Sequence, residues 1–538
     1  MVFNFDTGWG GDPELDGSDI HAWLEKWFER FRGDPQSQLD TISWCWSEGG
    51  WAPYPGSTVL PVYEGYRKWI DAGVDPVRIS LDESKQRGLE NWFSYRINTE
   101  NDFVGLAGWS VRTPTMETHP QWLRPSMWPQ WKVYNFDIPQ VRAYKLGIIR
   151  EAVQRYDFDG FEIDWRAGGG WALPQGWRWD KRRALTEFMR SVRRMTLEEE
   201  RTRNRPVLLI ARVGDCVEGC RLDGFDVEAW AKEGLVDILV VGGRSIDVDI
   251  AGFRQATEGT GVRIIPFNDD CHASNGYTQP PIEVFRGQFA NWWNQKPDGV
   301  CTFNFFAPWA PNGGEHCYRQ VWRELGSPET LRLKDKTFVV QRRFGEGGID
   351  IARMGNYLGT NRFAQLPAKL ANDGDLDTSV FLTVGDDVAQ DAAHIEELTL
   401  RLVLSDPSAA QLPAEARIAP EPFIAWDAYP KQDLFPPAKG IEDVLEVTFN
   451  GVALARGRVA FGTSRFGCDD IRHPFVAFDV NPDWVALGRN IVGVRLKGAD
   501  RAGQQEMSIE KVELHIRYRD DHAGISPVPS QKEQRNTS

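Results

Sequence analysis

Charged side chains are concentrated in DFDGFEIDWR, residues 157–166, a stretch that otherwise has the apolar character of a buried strand. In a strand, Glu162, Asp164 and Arg166 would share one face and apolar residues the other, because side chains alternate. Burying ions is unfavourable unless they are paired and hydrogen-bonded. Cleavage of a glycosidic bond, however, requires such groups, since it uses one carboxylate as nucleophile or base and a second carboxyl group as acid.

Each of these three residues can be given a role. We expect Asp164, nearest the end of the strand, to act as the nucleophile or as the charge that stabilises an oxocarbenium-like transition state. Glu162 lies one pleat deeper and would orient substrate hydroxyls or tune Asp164. Arg166 would pair with Asp164 or bind the substrate. The alternative for Glu162 and Arg166 is a structural ion-pair network that stiffens the fold.

No motif identifies the acid partner of Asp164. Three carboxylates that follow later strands are candidates, in the order Glu218, Asp215, Asp269. Polar and aromatic residues near other strand ends are predicted to bind substrate, because Trp, Arg and carboxylate side chains together suit sugar recognition. The predicted substrate-binding residues are Glu48, Trp51, Arg96, Asn98, Asp102, Glu162, Arg166, Trp171, Arg212, His272, Asn304 and Trp309.

The loop WRAGGGWALPQGWRWD, residues 165–180, carries Trp171, Trp177 and Trp179 among glycines. Their flat faces would suit a platform or lid for sugar rings, and the alternative is an apolar plug between loops. The chain contains 23 Trp in all. Sugar stacking would help to explain that excess, although core packing must account for many of them.

These residues need a scaffold that brings strand ends together. Up to about residue 330, strand-like and helix-like segments alternate eight times, which predicts an α/β fold of the (β/α)8 barrel type. Functional residues of such barrels lie at the carboxyl ends of the strands. A doubly wound sheet is disfavoured, because the chain lacks the glycine-rich phosphate turns of that fold. The predicted barrel strands are residues 2–6, 40–46, 90–98, 158–165, 206–215, 236–243, 262–269 and 299–306.

Helical periodicity is largely lost after about residue 330. Residues 335–519 alternate short strands with Pro-, Gly- and Asp-rich turns, which predicts an accessory β-sandwich of jelly-roll type that supplies no catalytic residue. The composition of residues 520–538 is typical of a disordered tail. The predicted organisation is therefore a catalytic barrel over residues 1–330, the sandwich, and the tail.

The net charge of −15 excludes a nucleic-acid partner, which requires a basic surface. No apolar run approaches the roughly 20 residues that would span a bilayer, so no membrane partner is expected. The start MVFNFDTGWG lacks the pattern of a signal peptide. The sequence as written therefore predicts a cytoplasmic protein, or a periplasmic or secreted one whose leader has been removed. The oligomeric state stays open.

Neither a metal nor another cofactor is predicted. The seven Cys form no dense framework, and CVEGC, residues 216–220, lacks the second matched pair that zinc patterns need. A loop disulfide or two free thiols are better interpretations of that pair. None of the eight His falls in an HxH or HExxH arrangement. An Asp- and Glu-rich cleft could still hold Ca²⁺ through oxygen ligands.

Several segments resemble the glycoside-hydrolase-like family 10 group. The segment DPVRISLDESKQRGLENWFSYRIN is similar to a helix that leads into an S-x-R-x-N strand in that family, and VRAYKLGIIREAVQRYDFDGFEIDWR to a recurring helix–strand pair. The resemblance covers most of residues 2–310. It implies a (β/α)8 glycosidase fold, with Arg96, Asn98, Asp164 and Arg166 on the recurring polar positions.

Comparison with two other families narrows the chemistry. Family 18 chitinases carry DGxDxDxE on strand four, whereas this chain has DGFEIDWR, so Arg166 replaces their proton donor and chitinase chemistry is disfavoured. The α-galactosidase clan places its nucleophilic Asp at the end of strand four in a K-x-D pattern. That placement is similar to Asp164 and favours a nucleophile there.

The sequence thus predicts a glycoside hydrolase that acts on a poly- or oligosaccharide. A non-catalytic barrel that binds glycan is the alternative, and a sugar-acid lyase is disfavoured because Tyr95, its faint candidate base, should face away from Arg96. Uronic or sulfated sugars are a substrate class to test, since Arg binds such acidic groups bidentately. The Arg residues in question are Arg96, Arg166, Arg178 and Arg212.

Overall fold

A computed structural model describes most of the chain. The described residues are 1–6, 19–48, 50–62, 66–101, 113–125, 131–165, 172–243, 245–270, 276–305, 310, 312–342, 361–371, 376–406, 417–418, 437, 440–466, 469–497 and 507–519. Among them, no helix combines the length and the apolar character needed to cross a membrane.

Eleven strands are formed by the described residues of the region that the sequence predicts to be the barrel. They are β1 (Val2–Asp6), β2 (Thr41–Glu48), β3 (Glu90–Arg96), β4 (Thr99–Asn101), β5 (Leu123–Pro125), β6 (Trp131–Tyr134), β7 (Gly160–Asp164), β8 (Leu208–Val213), β9 (Ile238–Gly243), β10 (Arg263–Asp269) and β11 (Cys301–Phe303). Eight of them close into a parallel barrel in the order β1-β11-β10-β9-β8-β7-β3-β2. The (β/α)8 barrel predicted from the sequence is therefore confirmed, and β4, β6 and β5 form a small separate sheet.

Helices follow the barrel strands in the rhythm that the sequence predicts. Their starts have ordinary chemical causes: the Asp19 carboxylate caps the first helix, and the Asp75 carboxylate with Pro76 begins the third. The helices are α1 (Ile20–Arg32), α2 (Arg67–Asp71), α3 (Pro76–Gln86), α4 (Pro114–Thr118), α5 (Pro139–Arg155), α6 (Arg183–Arg203), α7 (Val217–Asp223), α8 (Val227–Lys232), α9 (Ile250–Ala256), α10 (Ile282–Asn294), α11 (Glu315–Glu324) and α12 (Pro328–Leu331).

The interior of the barrel is filled by side chains that alternate along the strands. Its apolar layer contains Val2, Trp92, Ile210, Ile238, Val240, Ile265, Phe267, Cys301 and Phe303. Gly160 leaves room for this layer, because a Cβ there would lie 2.6 Å from Ile210 and 2.9 Å from Trp92. Tryptophan also fills much of the described core, as expected from its apolar area. The buried tryptophans are Trp23, Trp27, Trp44, Trp46, Trp69, Trp92, Trp165, Trp230, Trp292 and Trp322.

The remaining described strands are antiparallel, as the sequence predicts for the region after the barrel. One sheet has the order β12-β22-β15-β20-β16, with β13 on β22 and β19 on β20, and another has the order β14-β21-β17-β18. The jelly-roll connectivity stays a prediction. The elements are β12 (Lys336–Val339), β13 (Ala368–Lys369), β14 (Thr378–Val384), β15 (Ile395–Ser405), β16 (Arg417–Ile418), α13 (Ile441–Val444), β17 (Leu445–Phe449), β18 (Val452–Ala453), β19 (Arg458–Phe466), β20 (Asp469–Asp479), β21 (Gly488–Leu496) and β22 (Ser508–Tyr518).

Contacts divide the chain into two compact units. Of the described residues, the first unit contains those up to 270, 297–305 and 361–362, and the second contains 276–296, 310–342 and those from 363 onward. Helices α10 and α11 therefore group with the antiparallel strands. The predicted boundary near residue 330 stays a prediction.

Helix α10 is held by residues that follow position 330. Gly287 packs directly against the carbonyl of Thr337, so closely that no Cβ would fit. The Asn291 side-chain amide donates to the Thr383 carbonyl at 3.1 Å, and Arg286 donates to the Asp335 carbonyl at 3.2 Å. These contacts belong to the second unit, and they join a helix that precedes β11 to strands that follow the barrel.

We expect a chain truncated after residue 330 to be unstable, because it would leave the apolar residues of α10 without their packing partners. Removing that much buried apolar contact should cost several kcal/mol, enough to unfold a typical domain. Circular dichroism and sedimentation of the truncated chain, beside the full-length protein, would test this. A soluble monomer with a cooperative melt would contradict it and favour the predicted boundary.

Candidate active site

Three charged residues lie side by side at the carboxyl ends of adjacent barrel strands. In the registers of β3, β7 and β8, Arg96 pairs with Asp164, and Asp164 pairs with Arg212. Side chains of paired residues in parallel strands point to the same side of the sheet. Asp164 therefore lies between two arginines on the neighbouring strands.

Arg212 binds both carboxylates of β7, Glu162 and Asp164. Its guanidinium donates to Glu162 Oε1 at 2.6 Å and to Asp164 Oδ2 at 3.3 Å. All three side chains are buried, with Asp164 4% exposed. Asp164 is thus a buried carboxylate with a cationic partner, at the barrel end where active sites of this fold are found.

Glu162 forms the centre of a deeper polar network. Its Oε1 accepts hydrogen bonds from the Asn4 amide at 3.0 Å and from the Ser94 hydroxyl at 2.5 Å, and Asn4 also donates to the Ser43 hydroxyl at 3.1 Å. Burial raises the pKa of the Glu162 carboxyl above its ordinary value, although Arg212 acts in the opposite direction. The Glu162 side chain is therefore held in place by hydrogen bonds, one pleat deeper in the barrel than Asp164.

Aromatic rings hold the Arg212 guanidinium in place. Its central carbon lies 4.6 Å from the centre of the Phe267 ring and 5.3 Å from that of Phe303. Burial alone would lower the pKa of Arg212, but Glu162 and Asp164 raise it above its ordinary value. The guanidinium therefore carries its positive charge at neutral pH.

Asp269 lies at the carboxyl end of β10. It points the same way as Phe267, two residues earlier in the strand, which belongs to the core inside the barrel. The Asn304 amide donates to Asp269 Oδ1 at 2.8 Å. Asn304 has a φ of 62°, a left-handed conformation that Asn tolerates better than most residues. This backbone turn just after β11 lets Asn304 reach the carboxylate.

Asp215 and Glu218 are in different environments from Asp269. Asp215 is fully buried, and its Oδ2 accepts hydrogen bonds from the Ser245 hydroxyl at 2.6 Å and from the backbone N–H of Arg362 at 3.2 Å. The Glu218 side chain is 69% exposed and pairs with the Arg362 guanidinium at 3.0 Å. The Asp215 carboxylate thus joins the backbone at Arg362 to Ser245, and the Glu218 carboxylate lies at the surface.

The other predicted site residues divide into two groups. Asn98 is fully buried, and its carbonyl accepts a hydrogen bond from the Tyr134 N–H at 2.9 Å, while Trp51 is half-buried. Several candidates lie outside the described residues, or have side chains that do. They are Glu48, Asp102, Arg166, Trp171, His272 and Trp309.

Some residues of this network could not be assigned from the sequence. Asn4, Ser43 and Ser94 lie on predicted strands, and the alternation of VFNFD does set Asn4 apart from the apolar Phe3 and Phe5. This alternation is a pattern from which Asn4 could have been identified as a polar residue on the other face of the strand. No local pattern connects Arg362 to Glu218, because 144 residues separate them in the sequence.

The described residues offer no set of side chains suited to a metal ion. None of their His, Cys, Asp and Glu side chains form a cluster of three or more that could hold a metal ion. Cys216 and Cys220 of the CVEGC segment are buried thiols and do not form a disulfide. Burial raises the pKa of Cys216 to about 12, so this thiol is protonated at neutral pH and a poor metal ligand.

The chain is similar to several solved structures. Solved structures that resemble the chain include the PgaB (BpsB) glycoside hydrolase domain from Bordetella bronchiseptica, at 12% identity and a TM-score of 0.41 over 61% of this chain and 98% of that one. An α-amylase from Geobacillus thermoleovorans matches at 9% identity and a TM-score of 0.36 over 92% and 98%. The α-L-fucosidase isoenzyme 2 from Paenibacillus thiaminolyticus matches at 13% identity and a TM-score of 0.38 over 60% and 48%.

Comparison of the sequence with protein families gives one match, which covers part of the chain. No curated protein matches the chain. The model of the family described as glycosyl hydrolase-like 10 matches residues 36–168, a range that includes Glu162 and Asp164. The resemblance to the glycosyl hydrolase-like 10 family that the sequence predicts is therefore confirmed over residues 36–168.

Proposed function

We propose that the protein is a glycoside hydrolase that cleaves a poly- or oligosaccharide, with Asp164 as its nucleophile. The observation that carries this proposal is the placement of Asp164 at the carboxyl end of β7, hydrogen-bonded by Arg212 and in register with Arg96. A nucleophilic carboxylate must be ionised, and an adjacent guanidinium favours the ionised form. The match to a glycosyl hydrolase-like family supports the same class of reaction.

The chemistry would run in two balanced steps. Asp164 attacks the anomeric carbon and forms a glycosyl ester, while a second carboxyl group donates its proton to the departing glycosidic oxygen. That group, now a carboxylate, then takes a proton from water, whose oxygen attacks the same carbon and releases Asp164. Arg212 keeps the position of Asp164 fixed throughout, and Glu162 holds Arg212 from below.

Among the three candidate acids, Asp269 is the one that we favour. It points toward the barrel interior next to the Phe267 ring on which Arg212 lies. Asp215 already accepts two hydrogen bonds within a buried loop, so it suits a structural role. The Glu218 side chain is 69% exposed and pairs with Arg362, whereas desolvation or a neighbouring like charge is what prepares a carboxyl group to act as an acid.

An acidic sugar is a finer proposal about the substrate. Arg212 forms ion pairs with Glu162 and Asp164, and Arg178 forms an ion pair with Asp223 at 3.4 Å, so both are engaged within the protein. Arg96 is partly exposed at the end of β3, and we propose it as the residue that contacts a carboxylate or sulfate group of the substrate. Trp51, which is half-buried, would contribute a further contact to the sugar.

A non-catalytic glycan-binding barrel is a second candidate function. It is favoured by the fact that one guanidinium binds both Glu162 and Asp164, as a purely structural network would. In that case the aromatic and Arg residues would bind glycan, but no pair of carboxyl groups would cleave it.

Digestion of a glycan panel would separate the two functions. Neutral, uronic and sulfated poly- and oligosaccharides are incubated with the full-length protein and with its Asp164→Asn variant, and the products are identified by chromatography and mass spectrometry. We expect shorter products from at least one glycan class with the wild type and none with the variant. Binding without products would favour the non-catalytic barrel, and equal cleavage by the variant would contradict the role of Asp164. Cleavage of neutral glycans alone would contradict the acidic-sugar proposal.

A further inference from the structure

Trp177 is the most exposed of the tryptophans that the structure describes, with 60% of its side chain accessible. Fully burying a tryptophan removes about 150–250 Å² from water, so roughly 90–150 Å² of this side chain remains for a ligand. Since most of the described tryptophans are core residues, this exposure is an exception that packing does not explain.

The backbone of Trp177 is fixed on both sides. Its N–H donates to the Pro174 carbonyl at 3.1 Å, and its own carbonyl accepts from the Lys181 N–H at 3.0 Å. Gly176, between Pro174 and Trp177, has a φ of 79°, which a type II turn requires at that position. Leu173, just before the turn, is fully buried. The ring is therefore presented by a rigid turn.

This turn belongs to the connection that follows β7, the strand that ends in Asp164, so it lies on the functional side of the barrel. It is also attached to α7. Arg178 is buried and pairs with Asp223, the last residue of α7, at 3.4 Å. Gly224 has a φ of 85°, and a Cβ there would lie 2.7 Å from the Arg178 carbonyl oxygen. The Trp177 turn is thus seated on the carboxyl end of α7.

The opposite end of α7 carries a polar pair. Glu218, in the first turn, is 69% exposed and pairs with Arg362 at 3.0 Å. At 1.5 Å per residue, the seven residues of α7 place its two ends about 10 Å apart. An ion pair this exposed contributes little to stability. Its carboxylate and guanidinium instead offer both an acceptor and donors to sugar hydroxyls.

We propose that Trp177, together with Glu218 and Arg362, forms an outer subsite that binds neighbouring sugar units away from the bond to be cleaved. The indole face would stack on the C–H face of one pyranose ring, and the ion pair would hydrogen-bond hydroxyls of the adjoining unit. The proposal deepens the proposed function and rests on it. It assigns the substrate to glycans of several units, because an outer subsite gains nothing from a disaccharide.

A glycan array of neutral, uronic and sulfated oligosaccharides, from disaccharides to octasaccharides, would test the subsite. The full-length protein is compared with Trp177→Ala, Arg362→Met and, as a matched control, Phe461→Ala, which removes another exposed aromatic side chain, 65% accessible. Loss of an aromatic anchor should weaken binding of the longest ligands at least about tenfold and leave disaccharide binding unchanged. We expect a smaller loss for Arg362→Met and none for Phe461→Ala.

Three outcomes would overturn the subsite: unchanged binding by Trp177→Ala, an equal loss at every ligand length, or a wild type that does not prefer longer ligands. Digestion, read separately, distinguishes this failure from failure of the proposed function. If Trp177→Ala binds normally while Asp164→Asn abolishes cleavage, only the subsite is wrong. If binding depends on Trp177 but nothing is cleaved, the subsite stands and the hydrolase proposal is wrong.

Discussion

Replacement of Asp164 by Asn is expected to leave a folded protein whose turnover falls by about 10³-fold or more, equivalent to about 4 kcal/mol of activation barrier. Asn has nearly the same shape and keeps an oxygen that can accept the hydrogen bond from Arg212. It cannot supply the negative charge that attacks the anomeric carbon. The substitution therefore separates the charge of Asp164 from its structural contacts.

Turnover on a glycan that the panel shows to be cleaved, together with a thermal melt, would measure this effect. Asp237→Asn is a matched control: Asp237 pairs with Arg193 at 2.9 Å just before β9, at the opposite end of the barrel strands. The control should melt earlier but cleave at the rate of the wild type. A folded Asp164→Asn variant within about tenfold of the wild type, less than about 1.4 kcal/mol, would contradict the role of Asp164.

Replacement of Arg212 by Met is expected to destabilise the protein strongly, by about 3–5 kcal/mol, because it leaves two buried carboxylates without their cation. Glu162 would have to remain charged without its partner or take up a proton. Met keeps apolar contact with the Phe267 and Phe303 rings, so the loss reports mainly on charge. Thermal and urea melts of the full-length variant would measure it.

A matched control is available on the surface. Arg221 pairs with Glu228 at 2.6 Å, the same distance as Arg212 to Glu162, but both partners are exposed. Arg221→Met should cost no more than about 1 kcal/mol. Adding Glu162→Gln to Arg212→Met should recover part of the lost stability, since one unpaired charge is removed. Equal effects of the two Arg substitutions would show that burial does not matter here.

Much of the barrel could be predicted from the sequence, because its strands carry strong local signals. Continuous apolar runs such as ILVVGG in β9 are typical of strands buried on both faces. The alternation in residues 157–166 likewise indicated which side chains of β7 point inward, and Arg212 does meet Glu162 and Asp164 there. These are properties of single segments and need no knowledge of distant partners.

The partners of each side chain could not be predicted in the same way. The sequence places Glu218, Asp215 and Asp269 after barrel strands, yet whether any of these carboxyl groups is desolvated depends on residues far away in the sequence. Arg362 pairs with Glu218 from 144 positions further on. The grouping of α10 with later strands has the same cause, since Gly287 meets Thr337 only in the folded chain. Long-range contacts, not local patterns, decide these features.

The most direct test of Asp164 as nucleophile is identification of the residue that becomes glycosylated. The full-length protein is incubated with an activated 2-deoxy-2-fluoro derivative of the sugar that the panel identifies, which slows breakdown of the glycosyl ester. It is then quenched in acid, digested with a protease and analysed by peptide mass spectrometry. We predict one added glycosyl mass on the peptide that contains Asp164, and none in the Asp164→Asn variant. A glycosyl group on Asp215, Glu218 or Asp269, or cleavage of the natural glycan with inverted anomeric configuration, would contradict the account.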